Sequence, residues 1–316
     1  MECLAVTLEN LSEVQKIIDG VVDTRDDSYQ ICAIYYLLTG RKGAWIFHDG
    51  TCAVVVVVHP HRPDELIVFP ELGPVGTFQL TPRLLTNFPF AGYRISVGRY
   101  TDNELGRLEG FLSPARDVAL TTFADSAMDW VFPIRILSTA IAATTEGHAF
   151  QKVRNKVRRA KLHVSTSYVL GANNETVLHD LFSKWCRRMQ QLHPSSMEEI
   201  QQYYQSVGDI LLRHPQMLRG VYFATSEGPC GMTLWSVTKD NTANLYVNMS
   251  DPDIVGLSDL QIVTSAHIAL KHGSEVLNVG GSEEGSLDRF KAKYLPQKSI
   301  ALQSAYVAIR PGLVAA

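Results

Sequence analysis

A run of basic residues at 151–161 is the first feature of the sequence that could bind an anion. The run, QKVRNKVRRAK, holds six cations and no acid: Lys152, Arg154, Lys156, Arg158, Arg159 and Lys161. If it is helical, the cations form two stripes, and Val153, Val157 and Ala160 form a narrow apolar stripe that would pack against the protein. Such a helix in a net-acidic protein could bind phosphates. A solvated face whose charges are paired with acids elsewhere is an equally good interpretation.

A glycine pair followed by mixed charges lies near the C-terminus. A predicted buried strand at 276–279 ends in Gly280 and Gly281, and acids and then the cations Arg289, Lys291 and Lys293 follow. Glycines at the end of a strand allow backbone amides to approach and hold an anion. The alternative is a strand-to-helix turn with a solvated loop.

A predicted strand at 243–249 carries two polar side chains that could contact a substrate. Strict alternation would place Tyr246 and Asn248 on the same face of this strand. If that face lines a cleft, both side chains could donate hydrogen bonds to a substrate. Otherwise they are ordinary sheet residues.

Several familiar catalytic motifs are absent from the sequence. The histidines have no metal-ligand spacing such as HExxH, so we expect no metal site. No GxSxG elbow, Walker A loop or GxGxxG after a strand occurs. The main sequence support for a hydrolase triad, a nucleotide triphosphatase or a Rossmann dehydrogenase is therefore missing.

Composition limits the class of protein. The chain has 316 residues, of which 46% are hydrophobic and 19% charged, and its formal charge is -3. These values predict a globular protein of about two domains and exclude a strongly basic coat for nucleic acid. The longest apolar run, at 52–58, is far too short for a membrane helix, and the first residues lack the basic region of a secretory signal. Five dispersed cysteines fit free thiols, so we expect a soluble, cytoplasmic protein.

The order of predicted elements indicates an α+β fold. In the second half, helices precede three antiparallel strands, and a crossover helix at 257–272 then leads to the strand at 276–279. A weakly periodic segment with two prolines lies at 111–133. We therefore predict one domain at 1–125 and a second, catalytic domain at 126–316.

Two segments of the second half resemble a known family. The first segment consists of WVFPIRILS at 130–138 followed by EGHAFQKVRNKVRRAK at 146–161. It resembles the "K..RN.INR" helix of the phosphatidylglycerol lysyltransferase C-terminal domain family. The segment LNVGGSEEGSLDRFKAKYLP at 277–296 is similar to the "N.G....GL..FK.K..P" close of that family. Fem-type peptidyltransferases are similar too. The two segments cover about a third of residues 130–300, and the first 125 residues match only as a mixed α/β segment of suitable length.

The resemblance implies two GNAT-like domains in tandem, each with a mixed, mostly antiparallel sheet flanked by helices. It also implies transfer of an aminoacyl group from aminoacyl-tRNA to an amine or hydroxyl of a soluble acceptor, without a resident cofactor. Lys291 would stabilise the developing oxyanion, and Asp288 or Glu283 (or Glu284) would act as base. The tRNA phosphates would bind to Lys152, Arg154, Lys156, Arg158 and Arg159. Substrate would contact Tyr246, Asn248, Gly280, Gly281, Ser282, Arg289 and Lys293.

Two other functions remain open at this point. A coenzyme A-dependent N-acyltransferase would need amides that hold a pyrophosphate between the fourth strand and the next helix. That junction here contains Asp251, Pro252 and Asp253, which would repel the pyrophosphate and remove one amide donor, so acyl-coenzyme A ranks second as donor. The third function is a GNAT-like protein that binds a ligand or RNA without catalysis.

Overall fold

The computed structural model divides the chain into two compact units. It describes residues 1–21, 25–74, 78–86, 92–112, 118–123, 132–170, 174–192, 197–282 and 284–309. Unit 1 comprises Met1–Ile134, Gly281–Gly285 and Ile300–Ala316, and unit 2 comprises Arg135–Gly280 and Ser286–Ser299.

The chain builds most of unit 1 before it enters unit 2. The elements of this first part are β1 (Glu2–Ala5), α1 (Leu11–Val21), α2 (Ala33–Thr39), β2 (Ala44–His48), β3 (Ala53–Val58), β4 (Glu65–Val68), α3 (Leu80–Thr86), β5 (Arg94–Tyr100), α4 (Asp102–Leu112) and β6 (Val118–Phe123). All six residues of β3 are buried, because a strand in the middle of a sheet with helices on both faces has no exposed side. The valine run thus forms a central strand, as its β-branched side chains predict.

Unit 2 carries the basic run and the glycine pair's strand. Its elements are β7 (Ile134–Ser138), α5 (Thr139–Thr144), α6 (Gln151–Lys161), β8 (Thr166–Leu170), α7 (Glu175–Leu192), α8 (Met197–Arg213), β9 (Arg219–Thr225), β10 (Gly228–Val237), β11 (Thr242–Ser250), α9 (Leu257–Lys271), β12 (Val276–Asn278), α10 (Gly285–Ala292) and β13 (Lys298–Ile300). The predicted crossover is present, since β11 and β12 pair in parallel and α9 connects them.

The last strand corrects the predicted domain limits. Strand β14 (Gln303–Ile309) pairs with β5 and β6, so the C-terminal residues join the sheet of unit 1 rather than the predicted second domain. The sheet orders are β1-β2-β3-β4-β5-β14-β6 and β13-β7-β12-β11-β10-β9-β8. A single boundary at residue 126 cannot describe the two units, because β14, near the end of the chain, belongs to the sheet of unit 1.

The two units repeat one order of elements. Each runs strand, two helices, three strands, helix, strand, helix and strand, from β1 to β6 in unit 1 and from β8 to β13 in unit 2. In both, the fourth and fifth strands are parallel neighbours, and one extra strand lies between the fifth and the sixth. Helix α9 of unit 2 therefore corresponds to α3 of unit 1.

Candidate functional site

Helix α6 exposes its cations and buries its apolar stripe. Val153, Val157 and Ala160 are buried as predicted, in the core cluster that also contains α9 side chains. The side chains on the outer faces are exposed: Lys152, Lys156, Arg158, Arg159 and Lys161. Within the part of the chain that the structure describes, none of these five has an ion pair. These residues therefore do not support the alternative interpretation, in which acids elsewhere in the protein neutralise the cations of 151–161.

Arg154 differs from the other cations of α6. Its guanidinium donates hydrogen bonds to the carbonyl oxygens of Thr145 and Gly147, the latter at 2.7 Å. Thr145 closes the C-terminus of α5 in a left-handed conformation. Since a cation near such carbonyls satisfies acceptors that the helix leaves open, Arg154 holds the connection between α5 and α6 rather than extending toward solvent.

The backbone of α6 contacts the start of α9. Gly256 precedes α9 with φ +90°, and a Cβ built on it would lie 2.2 Å from the carbonyl oxygen of Lys156. Only glycine allows both this conformation and this approach. The exposed cations of α6 are thus fixed beside the N-terminus of α9.

A half-buried charge cluster lies at the same end of α9. The buried Asp259, in the first turn of α9, accepts a hydrogen bond from the Tyr294 hydroxyl at 2.8 Å and pairs with the Lys293 ammonium. The Lys293 nitrogen also lies 3.9 Å from the centre of the Phe290 ring, which is a favourable cation–π geometry. Burial lowers the pKa of Lys293, the bond to Asp259 opposes that shift, and the charge of Lys156 adds to it.

The two basic segments, α6 and the end of α10, lie close enough for the charge of Lys156 to lower the pKa of Lys293. Lys291 and Lys293 end α10 and the turn that follows it, and Arg289 is exposed on the same helix. The Lys291 side chain is half-buried. Sequence reasoning therefore found two segments that the fold brings to the same end of α9, but it missed Asp259 and Tyr294. The only sequence signal for Asp259 was an acid in a first helical turn, which usually is a solvated residue.

Asp288, predicted as a catalytic base, is bound to an arginine. Both of its oxygens accept hydrogen bonds from Arg135 of β7, at 2.9 and 3.1 Å, and a further nitrogen of Arg135 donates to Ser299 at 2.7 Å. A two-point arginine–carboxylate pair fixes orientation as well as distance. Asp288 therefore positions α10 on β7.

Replacement of Asp288 by asparagine should test this positioning. We expect Asp288→Asn and Arg135→Gln each to lower the free energy of unfolding by about 2 kcal/mol, because each leaves a charged hydrogen-bonding partner unsatisfied. The double variant should lose much less than the sum, with a coupling of about 1–2 kcal/mol in urea denaturation. If Asp288→Asn abolishes turnover while Arg135→Gln leaves it intact, Asp288 would instead be the base.

The predicted common face of Tyr246 and Asn248 is not formed. Leu234 pairs with Val247 and Trp235 with Leu245, so Tyr246 is the extra residue of a β-bulge, which breaks the alternation. The Tyr246 hydroxyl lies 3.4 Å from that of Ser236, whereas Asn248 pairs with Thr233, three residues earlier along β10 and hence on the other face.

The bulge also gives backbone groups of β11 unusual partners. The carbonyl oxygen of Tyr246 accepts a hydrogen bond from the Tyr203 hydroxyl of α8 at 3.1 Å.

The parallel pairing of β11 with β12 stops beyond Asn244 and Asn278. The Oδ1 atom of Asn248 has no hydrogen-bond partner within the described residues. A polar atom that is buried without a protein partner is a candidate ligand contact.

The glycine pair spans the boundary of the two units. Gly280 has φ +70°, and its amide donates to the side chain of Asn278 at 3.0 Å. Gly281 and Ser282 are buried in unit 1, where Ser282 bridges to Phe132. Glu283, the other predicted base, lies outside the described residues.

Unit 1 closes its corresponding helix start with a carboxylate of its own. Glu71 is 6% exposed, and its oxygens accept hydrogen bonds from the amides of Gln79, Leu80 and Thr81 at 2.8, 3.0 and 2.8 Å. These amides begin α3, so an anion from outside would compete with a bound negative charge. In unit 2, the residue before α9 is Gly256, which has no side chain to cap the helix. Because the exposed cations of α6 and the charge cluster of Lys293 lie in unit 2, we assign the candidate site to that unit.

The described residues contain neither a metal-binding cluster nor a helix that could span a membrane. No group of three or more histidine, cysteine and acidic side chains there is arranged to hold a metal ion. Among the helices of the same residues, none combines the length and the apolar character needed to cross a bilayer.

Comparison with known proteins gives matches in structure alone. No family model and no curated protein matches the sequence. A conserved protein of unknown function from Bacteroides thetaiotaomicron matches with a TM-score of 0.76 and 14% identity, over 95% of this chain and 97% of that chain. The C-terminal DUF2156 domain assigned to a lysylphosphatidylglycerol synthetase of Agrobacterium fabrum matches with a TM-score of 0.61 and 12% identity, over 97% of this chain and 93% of that chain.

FemX is a third similar structure, with a TM-score of 0.61 and 10% identity, over 98% of this chain and 97% of that chain. Identities this low establish a shared fold. The resemblance predicted from 146–161 and 277–296 is therefore confirmed at the level of architecture. The chain has an α+β fold of two units in tandem, each with a mixed sheet flanked by helices, and it shares this fold with FemX and with the lysylphosphatidylglycerol synthetase domain.

Proposed function

We propose that this protein is an acyltransferase that moves an aminoacyl group from aminoacyl-tRNA to an amine or hydroxyl of a soluble acceptor. The observation that carries the proposal is the group of exposed, unpaired cations on α6 beside the start of α9. Cations held on a rigid helix suit the phosphates of a nucleic acid strand, which bind through charge and without base contacts.

Lys291 would act on the donor carbonyl. In the transfer, the bond between the carbonyl carbon and the tRNA ribose oxygen breaks, and a bond to the acceptor nitrogen or oxygen forms. The acceptor proton finally resides on the ribose hydroxyl. Because an aminoacyl ester is already activated, correct positioning and one cation near the developing oxyanion can supply much of the acceleration. Since Arg135 binds both oxygens of Asp288, we no longer assign the proton transfer to that carboxylate.

Acyl-coenzyme A is the less favoured donor. The junction between β11 and α9 exposes Asp251 and Asp253, and it brings the carbonyl oxygen of Lys156 against Gly256. A pyrophosphate at this helix N-terminus would meet two negative charges and a hydrogen-bond acceptor. These features argue against the arrangement by which acetyltransferases bind coenzyme A.

The decisive experiment offers both donors to the purified protein. A total pool of radiolabelled aminoacyl-tRNA is incubated with candidate amines, and release of label into an acid-soluble amide is followed. A parallel reaction contains acetyl-coenzyme A and a thiol reagent. Label transfer from tRNA supports the proposal; release of free coenzyme A alone supports the alternative donor, and neither product would favour a protein that binds without catalysis.

Binding of tRNA should depend on the cations of α6. We expect Lys156→Gln and Arg159→Gln each to reduce the slope of log affinity against log salt by about 0.7–0.9, the contribution of one phosphate contact. The exposed Lys271, at the other end of α9, offers a matched control, and Lys271→Gln should leave the slope unchanged. Filter binding with deacylated tRNA at several salt concentrations measures the slope. Equal slopes for all four proteins would remove α6 from the tRNA contact.

A further inference from the structure

A cavity of about 230 Å³ lies in unit 2, and its lining includes none of Asp259, Lys293 and Tyr294. Helix α7 forms one wall, with Leu181, Trp185 and Arg188, and the end of β11 with the residues after it forms the other, with Asp251 and Asp253. Since one water occupies about 30 Å³, the cavity has room for several waters or one small organic molecule.

The two walls carry opposite charges that do not neutralise each other. Arg188 on α7 and Asp253 on the opposite wall are both exposed, and neither has an ion pair within the described residues. Lys184 also lines the cavity, but its ammonium pairs with Asp180 at 3.0 Å, one turn earlier on α7. One guanidinium and one carboxylate thus remain available on opposite sides of the same cavity.

The acidic wall is held by its own backbone. The amide of Asp253 donates to the Asp251 carboxylate at 3.0 Å, and the amide of Asp251 donates to the carbonyl oxygen of Cys230 at 2.8 Å. This turn leaves the Asp253 carboxylate outside the local hydrogen bonds. Its position is therefore set by the end of the sheet.

Cys230 and Trp185 contribute uncharged surface to the cavity. Burial raises the pKa of the Cys230 thiol to about 11, helped by the charge of Asp251, so the thiol is protonated at neutral pH. It donates to the carbonyl oxygen of Phe223 at 3.3 Å. The Trp185 ring packs edge-on against Tyr204, with ring centres 4.7 Å apart. A cavity that combines apolar side chains with a small number of polar groups is typical of a small-molecule site.

We propose that this cavity binds a free α-amino acid, with its carboxylate at Arg188, its ammonium group at Asp253 and its side chain against Trp185. A ligand that carries both a carboxylate and an ammonium group can contact both walls at once. The amino acid is the acceptor of the transfer: its ammonium group first releases one proton to water, and the neutral amine then attacks the donor carbonyl and gives up its second proton to the ribose hydroxyl. That second statement rests on the proposed function, whereas binding of the amino acid does not.

Isothermal titration calorimetry without tRNA tests the binding. The standard amino acids are titrated into the full chain, and each one that binds is compared with its amide and its N-acetyl form. We expect at least one amino acid to bind, and loss of either charge to weaken binding about tenfold or more, the usual loss for one charged hydrogen bond. Arg188→Gln and Asp253→Asn should weaken binding by about the same factor.

Two exposed residues outside the cavity provide matched controls. Arg187 neighbours Arg188 on α7, and Asp209 lies on α8, so Arg187→Gln and Asp209→Asn should retain the wild-type affinity. If no amino acid binds, or if the cavity variants bind as well as the controls, the inference is overturned. Binding without label transfer from tRNA to that amino acid would refute the acceptor role but keep the binding site, and absence of label transfer to every candidate acceptor would refute the proposed function. Label transfer with a KM that Arg188→Gln does not change would refute only the site.

Discussion

Replacing Lys291 by alanine is expected to lower the turnover of aminoacyl transfer about a hundredfold, the typical loss of one group that stabilises an oxyanion. The free energy of unfolding should change by no more than about 1 kcal/mol, because the side chain is only half-buried. Single-turnover kinetics with preformed aminoacyl-tRNA separates this effect from tRNA binding, which should remain unchanged.

Lys293, two residues further, provides the matched comparison. Its loss would leave the Asp259 carboxylate, whose side chain is 4% exposed, with the Tyr294 hydroxyl as its hydrogen-bond donor among the described residues. Removing one member of a buried pair costs about 3–5 kcal/mol, and the quarter exposure of the Lys293 side chain reduces our expectation for Lys293→Ala to about 2 kcal/mol. Lys291→Ala should therefore impair catalysis and Lys293→Ala should impair stability. Wild-type turnover of Lys291→Ala would place the reacting carbonyl elsewhere.

The sequence predicted those parts of the site that depend on local pattern. The spacing of Val153, Val157 and Ala160 determined which face of α6 is buried, because a helix repeats its contacts every three to four residues. The valines of β3 predicted a central strand for a similar reason.

Pairing over long distances in the chain could not be predicted. Arg135 and Asp288 are 153 residues apart, so nothing near Asp288 indicated that its carboxylate is already bound. The bulge at Tyr246 arises from the pairing of β10 with β11 and has no marker among the residue types. The repeat of the two units was also hidden, because equivalent strands such as ELIV of β4 and TANLYVNMS of β11 share an order of elements and not a residue pattern. The same holds for β14, whose partners lie in the first half of the chain.

The two helix starts that correspond in the duplicated fold have different surroundings. Glu71 supplies unit 1 with an internal negative charge at the start of α3, whereas the residue before α9 in unit 2 is Gly256, which has no side chain. The segment before α9 carries the exposed carboxylates of Asp251 and Asp253, and the backbone of α6 approaches Gly256. We therefore assign the proposed phosphate contacts to the cations of α6 and not to the amides of α9.

Replacing Gly256 by alanine should have the largest effect on stability. The new Cβ would lie 2.2 Å from the carbonyl oxygen of Lys156, and the backbone would keep φ +90°. The left-handed conformation costs about 1–2 kcal/mol for a residue other than glycine, and forced overpacking adds about 1–3 kcal/mol. We therefore expect Gly256→Ala to lose about 2–5 kcal/mol in urea denaturation.

Gly273, at the opposite end of α9, isolates the contribution of the contact. It has φ +88°, and a Cβ there would meet nothing within 4 Å, so Gly273→Ala should lose only the conformational cost of about 1–2 kcal/mol. Because the added methyl group at Gly256 must push α6 away from α9, Gly256→Ala should also weaken tRNA binding in protein that is still folded, and Gly273→Ala should not. Equal losses for the two variants would mean that the close approach of α6 to α9 contributes nothing. The position of the cations would then depend on some other contact.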